Sequence, residues 1–136
     1  MGKQLGSSAC TQGIQIDVDP SLDAEHSDAD DSRFMFNYRI RVRNGSDQRV
    51  TLLSRHWIVV DANGLRHEVE GDGVVGQQPD IAPGSEFVYT SFCPLTTPWG
   101  TMEGSYLMER EDGSQFRAQV ARFYLATGEG SPVPAR

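Results

Sequence analysis

Between Phe34 and Arg43 the chain alternates without a break. Phe34, Phe36, Tyr38, Ile40 and Val42 fall on one parity, and Met35, Asn37, Arg39, Arg41 and Arg43 on the other. Successive side chains of a strand point to opposite faces, so this register sets an aromatic and aliphatic row against a row dominated by arginine. A helix would scatter both rows around its circumference. The segment reads as a strand with one dry face and one wet face, and the dry face needs a second layer to cover it.

The same rhythm recurs. Ile14, Ile16 and Val18 alternate with Gln15, Asp17 and Asp19 until Pro20, which is expected to end that strand. Val50 to Val60 is longer and more continuously apolar. Phe87 and Tyr89, then Met102, Gly104, Tyr106 and Met108, then Phe116, Ala118 and Val120 repeat the period of two. Past Val120 the apolar set moves to Ala121, Phe123 and Leu125, a change of parity that points to a bulge or bend. Asn44-Gly45, Asn63-Gly64, Pro83-Gly84 and Asp112-Gly113 punctuate these runs as turns, the Asn-Gly and Asp-Gly pairs suiting tight hairpins. Asp19 to Ser32 is acidic, nearly free of large apolar side chains, and reads as a surface loop. No amphipathic helix of ordinary length is visible. The expected fold is all-β: an antiparallel β-sandwich of immunoglobulin-like or fibronectin type III-like kind.

At 136 residues the chain has enough length for one core. Residues 1–12, rich in Gly and Ser, and residues 128–136, with Gly128, Gly130, Pro132 and Pro134, read as mobile tails around a domain at 13–127. A formal charge of -7 argues against binding nucleic acid, because neutralising phosphates requires a basic surface. No apolar run reaches the length that spans a bilayer, and the first twelve residues lack the apolar segment of a secretory signal; the expected location is the cytoplasm.

Catalytic patterns were sought and none forms. Two cysteines, Cys10 and Cys93, do not make a disulfide framework, and Cys93 reads as a small buried apolar residue. His26, His56 and His67 have no zinc-site spacing, so no protein-ligated metal is expected. Asp28, Asp30 and Asp31 resemble the start of a calcium loop, but Arg33 and Arg39 stand where its glycine and glutamate belong. No serine lies in a nucleophile elbow, and Glu103 lacks a visible partner acid. Gly71-Asp72-Gly73-Val74-Val75-Gly76 spells G-x-G-x-x-G, yet Gln77-Gln78-Pro79 follows where a dinucleotide fold needs a helix. Two readings of that loop stay open. Its amides form an anion-binding nest with Arg55 or Arg66 within reach, or its glycines only permit a tight bend.

Several ordered segments together resemble the ApaG family: Leu52-Leu53-Ser54-Arg55-His56-Trp57, Asp61-Ala62-Asn63-Gly64, the run from Gly71 to Pro79, and Gly100-Thr101-Met102-Glu103-Gly104-Ser105-Tyr106. The likeness spans about Gly13 to Leu125 and departs from the family pattern at Phe92, where glycine is common. It implies a fibronectin type III-like sandwich, a link to cobalt resistance and magnesium efflux, and relatedness to domains of F-box and polymerase-interacting proteins that resemble protein-binding modules. It also implies a pyrophosphate-binding role for Gly71, Gly73 and Gly76.

Two functions follow as expectations. One is a non-enzymatic module that binds a protein partner, with Trp99, set between Pro98 and Gly100 in a turn, as the exposed anchor and Trp57 as the second aromatic. The other is a site for pyrophosphate or a nucleotide polyphosphate at Gly71, Gly73 and Gly76, held by Arg55 or Arg66, with Mg²⁺ or Co²⁺ as the ligand's counter-ion and hydrolysis as an extension. Strand pairing at a sheet edge would add a homodimer.

Overall fold

The computed structural model describes residues 5–127. Its strands are β1 (Ser7–Thr11), β2 (Ile14–Leu22), β3 (Phe34–Asn44), β4 (Val50–Asp61), β5 (Arg66–Asp72), β6 (Asp80–Ile81), β7 (Glu86–Leu95), β8 (Trp99–Arg110) and β9 (Gln115–Ala126). Two sheets form, in the orders β1-β2-β3-β7 and β5-β4-β8-β9, with β6 pairing to the end of β4. Every pairing is antiparallel. This is the expected sandwich, immunoglobulin-like in its layers and fibronectin type III-like in its strand order. Among the described residues no helix is long and apolar enough to cross a membrane.

The dry row of β3 lies where its alternation predicts. Phe36, Tyr38, Ile40 and Val42 are buried with Ile14, Ile16 and Val18 from β2, facing Leu52, Trp57, Met102, Tyr106, Met108, Val120, Phe123 and Leu125 of the other sheet. The parity change after Val120 is a bulge. Met102 pairs with Phe123 and Gly104 with Val120, so Ala121 and Arg122 together oppose Glu103.

Four expectations are corrected. Residues 7–11 belong to no tail: they form β1, which pairs with residues 14–18 of β2 and closes one side of the sandwich against β9. Leu5 and Ala121 carbonyls accept from the Tyr124 amide and the Ser7 hydroxyl at 2.8 and 2.7 Å, and the Thr11 hydroxyl accepts from the Gln119 amide. Pro20 does not end β2, which continues to Leu22 opposite Tyr38, Asn37 and Phe36. The reason is local: β1 stops pairing at Val18, so Pro20 lies on an edge where its missing N–H costs nothing. The Asp19 to Ser32 loop shrinks accordingly to short 3₁₀ turns at Ala24–His26 and Ala29–Asp31, capped by Asp23 and Asp28.

Asn44-Gly45 is not a hairpin but the start of the crossover from β3 to β4, which lie in different sheets. The Asn44 side chain is fully buried and donates to the Gln48 and Ile81 carbonyls at 2.7 and 2.9 Å while accepting from Ser46. The expected tail at 128–136 lies outside the described residues.

Candidate functional site

Opposite the β1/β9 seam the sandwich is open. There β5 and β7 are the outermost strands of their sheets, each paired on one side only. A cleft of about 360 Å³ runs between them, lined by Val59, His67, Val69, Cys93, Pro94 and Leu95, among others. Val69 is 43% exposed, with none of the described residues covering it, and Phe92 on the outer face of β7 is 61% exposed. Cys93 faces the cleft half-buried, and burial pushes its thiol up to about 11, so it stays a neutral thiol at physiological pH.

A second cavity, of about 200 Å³, continues along the same open side and is lined by Tyr38, Arg55, Trp57, Val74, Val75, Gly76, Tyr89 and Ser91. A bulge puts Arg55 there. The β4–β8 register slips between Leu52 and Ser54, so Val50 and Leu52 face inward before it and Arg55, Trp57 and Val59 after it. Without the slip Arg55 would point to solvent. The displaced Leu53 offers its carbonyl to the Gly73 amide and the Gln78 side chain at 2.8 and 2.9 Å, which fixes the loop above the cavity.

That loop is a tight hairpin. Val74 and Gln77 exchange backbone hydrogen bonds of 2.8 and 2.9 Å, and Val75 and Gly76 between them take φ of 42° and 80°, the signs of a type I′ turn. Arg55 Nη1 donates to the Asp72 and Gly73 carbonyls at 3.1 and 3.0 Å. Its guanidinium lies flat on Gly71, where an added Cβ would stand 2.8–2.9 Å from three of its atoms. A β-branched residue at positive φ is strained. Val75→Asn, which restores the residue pair this turn prefers, is expected to raise stability by roughly 1 kcal/mol in urea denaturation.

The nest expected of these glycines is therefore partly spent. The amides of Gly73, Val74 and Gln77 donate within the loop and its support, and Gly71 serves as a floor for Arg55. Arg55 and Gly76 do share one cavity. Arg66 does not join them: it pairs with Val60 at the far end of β5, about 17 Å of strand from Gly71, and donates to Glu68 at 2.6 Å. Trp99 is the first residue of β8, paired with Ala126 and half-buried, not a turn residue. Trp57 is core at 3% exposure, edge-on to Tyr38, Tyr106 and Phe123.

The polar groups of the outer face are paired among themselves. A trough of about 310 Å³ at the β8–β9 bulge is lined by His56, Glu103, Ser105 and Arg122. His56 Nε2 and Glu68 are 3.2 Å apart, Arg122 donates to Glu103 at 2.7 Å, and Arg117 reaches Ser105 at 3.4 Å. Arg66, then His56, hold the exposed Glu68 carboxyl below the usual range. Asp23, Glu25 and His26 gather close enough for one cation, but Asp23 caps the 3₁₀ turn and bonds His26 at 2.9 Å, which explains the cluster locally.

Sequence reasoning missed the hydroxyl pair behind the cavity. Tyr89 and Tyr106 oxygens lie 2.5 Å apart, and Tyr106 is wholly buried with no other hydrogen-bond partner for its hydroxyl among the described residues. The Tyr106 proton must then go to Tyr89, since the reverse would strand it in a closed core. Tyr89→Phe is expected to cost about 1–3 kcal/mol by orphaning the Tyr106 hydroxyl, Tyr106→Phe clearly less, and the double variant to recover part of the loss. Urea midpoints of the four proteins measure this, and the opposite asymmetry would reverse the donor assignment.

Comparison with known proteins agrees with this architecture. The chain is 52% identical over 119 residues to Protein ApaG of Anaeromyxobacter dehalogenans strain 2CP-C, covering 88% of this chain and 94% of that one. It is 48% identical over 115 residues to Protein ApaG of Methylobacterium sp. strain 4-46, covering 85% and 88%. A solved structure described as the putative ApaA protein from Bordetella pertussis superposes with a TM-score of 0.83 at 42% identity, covering 85% of this chain and 94% of that one. The ApaG domain family matches residues 24–110, from the first 3₁₀ turn through β8, and so takes in β3, β4, the glycine hairpin and both walls of the open side: the chain belongs to the ApaG family.

Proposed function

We propose that this protein is a non-enzymatic binding module that receives an extended segment of a protein partner along its open side, between β5 and β7. One observation carries the proposal: two strand edges with unpaired backbone groups flank an apolar cleft on the side that β1 and β9 leave unsealed. A segment laid against either edge gains main-chain hydrogen bonds from the strand and side-chain burial from the cleft. Val69 and Leu95 supply the apolar wall, and the row of outward charges on β5, Arg66, Glu68 and Glu70, protects that edge from indiscriminate pairing.

The anchor expected at Trp99 moves with this proposal to Val69 and the cleft. Peptides selected from a displayed random library against the full chain test it by fluorescence anisotropy. Val69→Arg should weaken their binding tenfold or more, and Trp99→Ala should leave it within twofold. The reverse ranking would place the surface elsewhere. The phosphate reading keeps one supporting feature, the cavity shared by Arg55 and Gly76. Saturable shifts of loop amides with pyrophosphate and Mg²⁺, in the absence of peptide binding, would favour it instead.

A further inference from the structure

The polar side chains that border the cavity beneath the 74–77 hairpin, Arg55, Tyr38, Tyr89, Ser91 and Trp57, all carry hydrogen-bond donors. Arg55 spends Nη1 on two carbonyls and leaves Nε and Nη2 without a partner among the described residues. Tyr89 accepts from Tyr106, so its own proton is free to turn toward the cavity. Ser91, directly opposite Tyr38 across β7 and β3, donates to the Tyr38 oxygen, which leaves the Tyr38 proton unspent. The Trp57 side chain, 3% exposed, floors the cavity. Burial raises the Tyr38 and Tyr89 phenols above their ordinary value, which keeps both protonated at neutral pH. Among the described residues no carboxylate borders the cavity.

Three donors around one small space, the Arg55 guanidinium and the hydroxyls of the buried Tyr38 and Tyr89, call for an acceptor-rich ligand. Its charge is set by the site. One guanidinium with one unspent face matches a single negative charge presented by two coplanar oxygens, the geometry of a carboxylate. A pyrophosphate would bring more charge than one arginine balances, inside a chain whose own formal charge is -7. We infer that this cavity takes the carboxylate of an acidic side chain carried by the partner segment, which thereby gains a fixed register along the cleft.

This inference rests on the partner-segment reading, since the carboxylate arrives on that segment. It adds a specificity that the cleft alone does not supply: apolar contact at Val69 and Leu95 accepts many side chains, whereas a site built from unpaired donors rejects a residue that leaves them unpaired.

Two matched pools of octapeptides test it, one with a fixed Glu and one with Gln at the same position, titrated into ¹⁵N-labelled full chain. The Arg55 Nε–Hε signal and the Trp57 indole signal are read alongside the backbone amides. The Glu pool should shift both side-chain signals saturably, and the Gln pool at least tenfold more weakly. Arg55→Lys, which keeps the charge and loses the fork, should erase most of the Glu preference. Ser91→Ala, which leaves the hairpin clamp intact, should reduce it severalfold.

Equal shifts of β5 and β7 amides by both pools would overturn the carboxylate site and leave the partner segment standing. Shifts from neither pool would overturn both. Pyrophosphate shifting Arg55 at lower concentration than the Glu pool would overturn the choice of carboxylate.

Discussion

Trp57→Ala is expected to lower stability by about 3–5 kcal/mol, the largest loss of any single substitution considered. The indole is the hub of the core: its ring stands edge-on to Tyr106 at 5.9 Å, to Phe123 at 6.0 Å and to Tyr38 at 5.7 Å, so it touches both sheets at once. Removing it leaves a void that three large rings cannot all close, and forfeits their edge-to-face contacts as well. Trp57 also floors the cavity under the hairpin, so the variant should lose order at Arg55 and Val74 before the β1/β9 seam does. Urea denaturation gives the stability, and amide exchange gives the order of loss. A cost below about 1 kcal/mol would mean that Trp57 is not the centre of the fold.

Gly73→Ala comes second, with an expected loss of about 2 kcal/mol or more. Its φ of 63° already penalises an L side chain by about 1–2 kcal/mol. Space is the harder constraint. A Cβ at residue 73 would stand 2.1 Å from the Gln77 carbonyl oxygen, which is itself bonded to the Val74 amide, so the hairpin must open for the methyl to fit. Gly76 gives the control. It too has positive φ, but nothing lies near its Cβ position, and Gly76→Ala should cost only the backbone penalty. The two positive-φ glycines of the motif thus separate by stability alone, with no ligand present. Equal costs at residues 73 and 76 would show that the loop geometry described here does not persist in solution.

How much of this was legible in the sequence varies with the physics of each element. The alternation in β3 was unambiguous because both parities are chemically pure, and the parity change at Ala121 announced the β9 bulge for the same reason. The β4 bulge left a comparable trace, Val50 and Leu52 on one parity and Trp57 and Val59 on the other, but Leu53, Ile58 and Val60 put apolar residues on the opposite parities, and Ser54, Arg55 and His56 carry no alternation, which hides the slip. That slip turns Arg55 inward, so the site's one cation was named without its orientation being readable. β1 was invisible because Ser7–Thr11 has no apolar row; backbone pairing and a few side-chain bonds to β9 hold it.

Arg66 was grouped with the glycines by proximity in sequence, whereas strand pairing carries it to the opposite end of β5. The Tyr89–Tyr106 bond joins residues 17 apart across the two sheets, a distance no local pattern encodes. Asn44 shows the same limit. Its Asn-Gly signature suits a hairpin, and only the sheet change between β3 and β4 makes it a buried clamp on the Ile81 carbonyl.

Binding of a partner segment along the open side of the sandwich, as proposed, would be read out by hydrogen exchange at the strand edges. Amide exchange across β5 and β7 would be measured residue by residue, free and with a saturating selected peptide. Slowing is expected at alternate amides of one of these two strands, those directed away from their sheet partner, together with protection of the 74–77 hairpin. Exchange unchanged on β5 and β7 but slowed around Trp99 or on an outer sheet face would contradict it.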